Sequence, residues 1–267
     1  MSGQTPTARV GLSTSSVFPE STPATFEIAK KLGFECVEIM VGTDGVSTDI
    51  DAVRRMSEYY ELPVAAIHAP CLILTAAVWG TDPWEKLRMS LDAAKTLGAG
   101  VVVVHPPFRW QGDYASNFVS GVRQLEQDSG MVIAVENMYP WRTPIGIELR
   151  AYSPDWDPTD IGAAHLCLDL SHASTARQSS LRLIQTWGPR LAHVHLTDGT
   201  GMGTDDHLLP GKGDQQAGEV LATLARQGYD KTVILEVSTS TASNRIEREA
   251  MLAECLAFAR EHLAVKQ

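Results

Sequence analysis

Apolar residues in this chain gather into eight short runs, with amphipathic stretches between most of them. The runs predict strands over Ala8–Ser13, Cys36–Val41, Pro63–His68, Gly100–His105, Met131–Glu136, His165–Asp169, Leu191–His195 and Thr232–Val237. Several are apolar without alternation, as strands buried on both faces are. Stretches such as PATFEIAKKLG, DPWEKLRMSLDAAKTLG and the final RIEREAMLAECLAFAREHL carry the helical period. Gly33, Gly98 and Gly228 stand where helix C-caps do. Strands joined through helices must cross over to pair, which forces a parallel sheet. Eight such units predict an α/β fold, a single (β/α)8 barrel spanning residues 1–267, with residues 1–7 a polar lead-in. An open doubly wound sheet would alternate too, but GLSTSSVFP follows the first strand, where that fold places its glycine-rich turn.

Six of the runs end in a residue that binds metal. They are VAAIHAP with His68, VVVVHPP with His105, MVIAVEN with Glu136, LCLDLSH with Asp169, AHVHLTD with His195 and TVILEVS with Glu236. A ligand at the C-terminal end of a barrel strand sits at the mouth, where such folds place their active sites. His172 follows in DLSH, and Asp205 and His207 form a D-x-H after the seventh strand. Imidazole and carboxylate donors suit zinc, manganese or iron, and carboxylate-rich sets suit manganese or magnesium. Taken singly, a strand-end histidine is more often a hydrogen-bonded structural residue, and Asp169 could simply cap the turn before SHAST. Glu136 and Glu236 resist that reading, because carboxylates are almost never buried unpaired behind apolar runs. Convergence of all these positions on one end of one barrel makes a shared metal the economical explanation. His165, His193 and His262 are assigned to the strand's far end, to a deeper core hydrogen bond and to a solvated helix.

Two connections exceed the usual two to six residues. Residues 137–158 carry Tyr139, Trp141, Arg142, Tyr152 and Trp156, and residues 197–213 follow the seventh strand. Both leave C-terminal strand ends and are expected to wall the pocket. Trp141, Arg142 and Lys212, in PGKGD, are candidate substrate contacts, although rim aromatics such as Trp79, Trp84, Phe108 and Trp110 more often pack, and a loop lysine is more often solvated.

Composition narrows the classes. No apolar stretch approaches the roughly 20 residues of a membrane helix, and the N-terminal MSGQTPTAR lacks a secretory core. Cys36, Cys71, Cys167 and Cys255 form no CxxC pair and none ends a strand, so neither a disulfide framework nor a thiolate site is expected, and a cytoplasmic home is. The formal charge of −10, from 22 basic and 32 acidic residues, weighs mildly against nucleic acid.

The motifs HAP, HPP, VEN, CLDLSH, HVHLTD, DDHLLPGKGD and ILEVS, in this order and spacing, resemble the xylose isomerase-like barrel superfamily, which holds sugar (phosphate) isomerases and epimerases and the endonuclease IV-like, or AP endonuclease family 2, enzymes. The resemblance runs from Val10 to the last helix. Its isomerase-like members imply one metal on Glu136, Asp169, His195 and Glu236. Its endonuclease-like members imply three zinc ions. His68, His105 and Glu136 would hold the first, Glu136 bridging to Asp169, His195 and Glu236 the second, and His172, Asp205 and His207 the third. The loops after strands two and three, VGTDGVST and APCLILTAAVWGT, lack the arginine, lysine and tyrosine that DNA-binding members use there. Leu72, Ile73, Leu74 and Trp79 suit a small organic ligand or a subunit contact instead.

The resemblance therefore implies an isomerase or epimerase of a small sugar- or polyol-type substrate, holding one to three Mn, Mg or Zn ions. Glu136 and Glu236 would move the proton and His172 would orient a hydroxyl. The alternatives are a multi-metal phosphodiester hydrolase and a non-catalytic metal-binding barrel, and the apolar third loop leaves a homo-oligomer open.

Overall fold

A computed structural model describes residues 8–264 except 144 and 146, so the polar lead-in at 1–7 lies outside the described residues. Its strands are β1 (Arg9–Ser13), β2 (Cys36–Met40), β3 (Val64–His68), β4 (Val101–Val104), β5 (Val132–Glu136), β6 (His165–Asp169), β7 (Leu191–Leu196) and β8 (Thr232–Leu235). Each pairs in parallel with the next, and β8 pairs with β1, closing the barrel. The layer outside them contains α1 (Thr22–Leu32), α2 (Ile50–Tyr60), α3 (Pro83–Leu97), α4 (Gly112–Ser129), α5 (Leu170–Thr175), α6 (Ser180–Trp187), α7 (Ala217–Arg226) and α8 (Arg245–Leu263). Among the described residues, no helix is long and apolar enough to cross a membrane.

The apolar runs are explained by this burial. Every residue of β3, β7 and β8 is buried, because one face meets the helices and the other fills the barrel. Leu12, Ile39, Ile133, Leu168 and Val194 belong to the large core under the helices. The interior uses smaller groups, with Val103, Ala134, Cys167 and Ala192 in one cluster and Cys36, Ala65 and Ile234 in another. Gly11 belongs to the second region. A Cβ there would lie 2.5 Å from Ile234 Cδ1 and 2.7 Å from Cys36 Sγ, so any larger residue would force those side chains to shift.

Helix limits follow local chemistry. Asp82 caps α3 by accepting from the Trp84 and Glu85 N–H groups, Pro83 opens the helix, and Gly98 at φ 68° ends it. Three features depart from the sequence reading. The regular strands β4 and β8 stop one and two residues early, leaving the His105 N–H to the Cys71 thiol at 3.4 Å while the Glu236 N–H still reaches the Leu196 carbonyl at 3.3 Å. A short helix, α5, begins directly after β6. The long connection after β5 contains a two-stranded antiparallel ribbon, Trp141–Arg142 against Glu148–Leu149.

Candidate metal centre

Side chains alternate along a strand, so a residue two positions beyond an interior one also faces inward. Glu136 stands two beyond Ala134, Asp169 two beyond Cys167, His105 two beyond Val103, and Glu236 two beyond Ile234, each of the earlier residues lying in an interior cluster. These ends, with His68 and His195, therefore crown the barrel. Loops bring His172, Asp205 and His207 to them.

Glu136 is the hub. One of its carboxylate oxygens lies 3.1 Å from both His68 Nε2 and His105 Nε2. The other lies 3.2 Å from His172 Nδ1 and 3.2 Å from His195 Nδ1. His195 Nδ1 is also 3.0 Å from Glu236 Oε2 and 3.8 Å from Asp169 Oδ2. A second junction forms at Asp205, whose Oδ2 is 3.2 Å from His172 Nε2 and 3.1 Å from His207 Nε2. All nine residues that the sequence singles out thus meet in one continuous cluster.

Whether the cluster suits a cation can be read from what orients its members. His68 Nδ1 donates to the Ala69 carbonyl at 3.1 Å, His172 Nδ1 to the Asn137 carbonyl at 2.8 Å, and His207 Nδ1 to the Glu236 carbonyl at 2.7 Å. In each case the other ring nitrogen turns to the carboxylates, which is how the second partner of a ligating imidazole fixes its tautomer. Asp169 does both things that its sequence position allowed. Its Oδ1 accepts from the His172 N–H as the cap of α5, while Oδ2 is buried without a hydrogen-bond partner. Glu236 Oε2 is likewise buried and unpartnered. Two orphaned carboxylate oxygens beside an imidazole nitrogen are a costly arrangement unless a cation joins them. The donor set fits a divalent ion.

Charge makes the same demand. Burial alone would raise Glu136, but the imidazoles of His195 and His105 hold its carboxyl well below the usual range. Burial lifts Glu236 above its ordinary value despite His195 and His207. Burial disfavours a charged His105 or His207, yet Cys71 and Glu136 raise the first to about 9, and Asp205 chiefly raises the second to about 10.

Three residues matter that sequence reasoning missed. Glu38, fully buried in β2, places Oε2 2.7 Å from His193 Nε2 and Oε1 3.1 Å from His195 Nε2, the latter misaligned for a hydrogen bond. A carboxylate inside the apolar run CVEIM was the available signal. Asn137 accepts from the Asp169 N–H at 2.8 Å and donates to its carbonyl at 3.0 Å. Cys71 corrects the expectation that thiols stay away. The chain turns back after β3, and Cys71 Sγ joins His68 and His105 with ligand atoms within 4.8 Å of one another. Burial opposes its ionisation, but His105 and His68 bring it down to about 5.

Above the cluster lies a cavity of about 320 Å³. The two long connections wall it, through Tyr139, Trp141 and Tyr152 from one and Asp205 and His207 from the other. Two expected substrate contacts are not brought there. Arg142 is held by the Thr175 carbonyl at 2.6 Å and by Glu148, bracing the ribbon on α5. Lys212 turns outward to Glu254 on α8, 3.4 Å away. His193 makes the deep hydrogen bond expected of it, and His165 pairs with Glu126 at 2.6 Å on the far side.

A closed parallel eight-stranded barrel with imidazoles and carboxylates crowning its C-terminal mouth defines a class, the barrels with a candidate metal site at the strand ends. Comparison makes this specific. Residues 26–262 match the family model described as xylose isomerase-like TIM barrel, and the chain belongs to that family. The uncharacterized protein Rv0498 of Mycobacterium tuberculosis is 48% identical over 276 residues, covering 97% of this chain and 99% of that protein. Among solved structures, a D-tagatose 3-epimerase-like protein superposes with a TM-score of 0.68 at 24% identity, covering 96% of this chain and 100% of that one. The D-allulose 3-epimerase of a Methylomonas species, solved with D-allulose, gives 0.68 at 17% identity over 98% and 99%. At these identities the structures establish the shared fold.

Proposed function

We propose that the chain is a divalent-metal-dependent isomerase or epimerase of a small sugar- or polyol-type compound. The observation that carries this is the convergence of Glu136, Asp169, His195 and Glu236 beneath a cavity of small-molecule size. Family membership and sugar-epimerase structural neighbours support the same class. Those four residues would hold the ion. When bound, it supplies Lewis acidity that weakens the C–H bond between a carbonyl and its neighbouring hydroxyl.

The chain's own groups do the rest. Glu236, lifted by burial, is the better base and takes the proton from that carbon. Glu136, held ionised among four imidazoles, sits across His195 from Glu236 and passes a proton received from a neighbouring imidazolium such as His105 to the opposite face. His172, braced by Asn137 and Asp205, orients a substrate hydroxyl. Tyr139, Trp141 and Tyr152 keep water from the exposed carbanionic intermediate.

Incubating metal-loaded protein with a panel of ketoses and aldoses in deuterated water tests this. Deuterium should enter at the carbon beside the carbonyl, and the Glu236→Gln variant should lose at least a hundredfold of that rate. No incorporation with any divalent metal across the panel would overturn the reading.

One observation favours a second reading. His172, Asp205 and His207 complete a nine-residue set, more than one ion needs, and multi-metal sites of that kind hydrolyse phosphate esters. Against it, among the described residues no arginine or lysine lines the cavity. Cleavage of a synthetic abasic duplex, lost in His207→Ala, would reverse the order of the two. A non-catalytic metal barrel is the third possibility, and turnover of either kind removes it.

A further inference from the structure

The cavity over the cluster has two unlike halves. On one side every group is an acid or imidazole of the cluster. The other side is Met40, Leu72, Ile73, Leu74, Phe108 and Trp141, with Met138 and the two tyrosines completing it. Among the described residues, no lysine, arginine, asparagine, glutamine, serine or threonine lines this space. A free sugar carries a hydroxyl on nearly every carbon, and each one desolvated without a partner costs about 1–3 kcal/mol. A phosphate asks for cations or a fork of N–H groups. Beyond the Tyr139 and Tyr152 hydroxyls and the Trp141 indole N–H, this wall offers neither.

The apolar space also continues. A second cavity of about 160 Å³ shares Leu72, Ile73, His105 and Phe108 with the first. Two of its polar side chains are already engaged. The Lys86 ammonium donates to the Thr75 and Ala76 carbonyls at 2.8 and 2.7 Å, and Gln111 accepts from the Phe108 N–H at 2.7 Å. Around the rim, large apolar side chains face solvent, with Ile73 55%, Leu74 84% and Trp110 62% exposed, and Trp110 stacked on Phe108 at 4.6 Å. Exposed apolar groups clustered beside a polar site mark where a ligand's apolar part rests.

We infer that the substrate is two-ended. A vicinal hydroxy-carbonyl head meets the acids and imidazoles, and an uncharged aromatic group joined to it lies on Leu72, Ile73, Leu74 and Phe108. Aryl conjugates of a keto-sugar are then preferred over free or phosphorylated sugars, which the head-group site still turns over slowly. The inference takes its head group from the proposed isomerase reading and adds the tail.

Equilibrium binding to the manganese-loaded protein tests it, using methyl and phenyl 3-keto-β-D-glucopyranoside, fructose and fructose 6-phosphate as probes. The phenyl compound should bind at least tenfold more tightly than the methyl one. That ratio should fall to within twofold in an Ile73→Asp/Leu74→Asp variant whose melting temperature matches the native protein's. Fructose 6-phosphate should bind no better than fructose. Phenyl and methyl compounds binding within twofold of each other, or a gain from the phosphate, would overturn the inference. Deuterium exchange measured on the same samples separates the two claims. Exchange without tail preference sinks the tail alone, and tail preference without exchange on any probe sinks the isomerase chemistry alone.

Discussion

Glu38 is the most informative residue to change, because it touches the centre only through another side chain. Its carboxylate lies 2.7 Å from His193 Nε2 and 3.1 Å from His195 Nε2, and all three groups are fully buried. Burial penalises its charge, but His195 and His193 outweigh that and hold the carboxyl below the usual range. Glu38→Gln keeps the shape, removes the charge and offers a donor where an acceptor is needed. Losing one member of a buried pair costs about 3–5 kcal/mol, and the retained amide oxygen places this change near 3. At about 2–4 °C per kcal/mol for a chain of this size, the melting temperature should fall by roughly 6–12 °C. His195 would lose the partner that orients it, and such outer partners are worth about 10–100-fold in metal affinity. Competition against a chromogenic zinc chelator reads the affinity, and differential scanning calorimetry reads the stability. The pH dependence has a definite sign. A depressed carboxyl contributes stability above its ordinary value near 4.3 and loses it as pH falls from there through the folded value. The gap between native and variant melting temperatures should therefore stay constant above about pH 5 and narrow progressively as pH falls below it. Zinc affinity within twofold of native in Glu38→Gln would refute the reasoning.

Trp187 is fully buried and donates its indole N–H to Thr159 Oγ1 at 2.8 Å, so Trp187→Ala should cost about 3–5 kcal/mol, read by urea denaturation. Gly213 packs under the loop that carries Asp205 and His207. A Cβ there would lie 2.6 Å from Gly199 N and closer still to the Gly199 carbonyl and the Asp198 carboxylate, which also holds the N–H groups of Gly199, Gly211 and Gln215. Gly213→Ala should cost about 1–3 kcal/mol and raise amide exchange across residues 198–215. With His105 raised to about 9 and His207 to about 10, both are imidazolium at neutral pH, and a cation seated on the neighbouring Glu136 and Glu236 favours loss of the extra proton by repulsion. Titration calorimetry at pH 7 in buffers of different ionisation enthalpy should show at least one proton released per ion, with affinity rising from pH 6 to 9.

What the sequence made legible was local. A residue two positions past an interior one faces inward, so the crown at His68, His105, Glu136, Asp169, His195 and Glu236 follows from strand periodicity once the inward face of each strand is known. Glu38 faces inward two positions beyond Cys36, but it escaped because its partners, 155 and 157 residues away, stand on a strand that local pattern does not bring beside it. Cys71 escaped because proximity to His105 depends on a turn after β3, whose geometry a residue pattern does not encode. Arg142 and Lys212 misled for a related reason. Position on a mouth loop places the backbone near the cavity, but the Thr175 carbonyl and Glu254 capture the side chains. The ribbon at Trp141–Arg142 is too short to leave a period.

The central claim is that the crown holds a divalent cation. Elemental analysis of protein purified without added metal tests it most directly, with an Asp169→Asn/Glu236→Gln variant of unchanged fold measured alongside. The account predicts at least one equivalent of manganese, zinc or magnesium in the native protein and less than a tenth of that in the variant. Native protein that carries none, and that takes up none on dialysis against each ion, would contradict it.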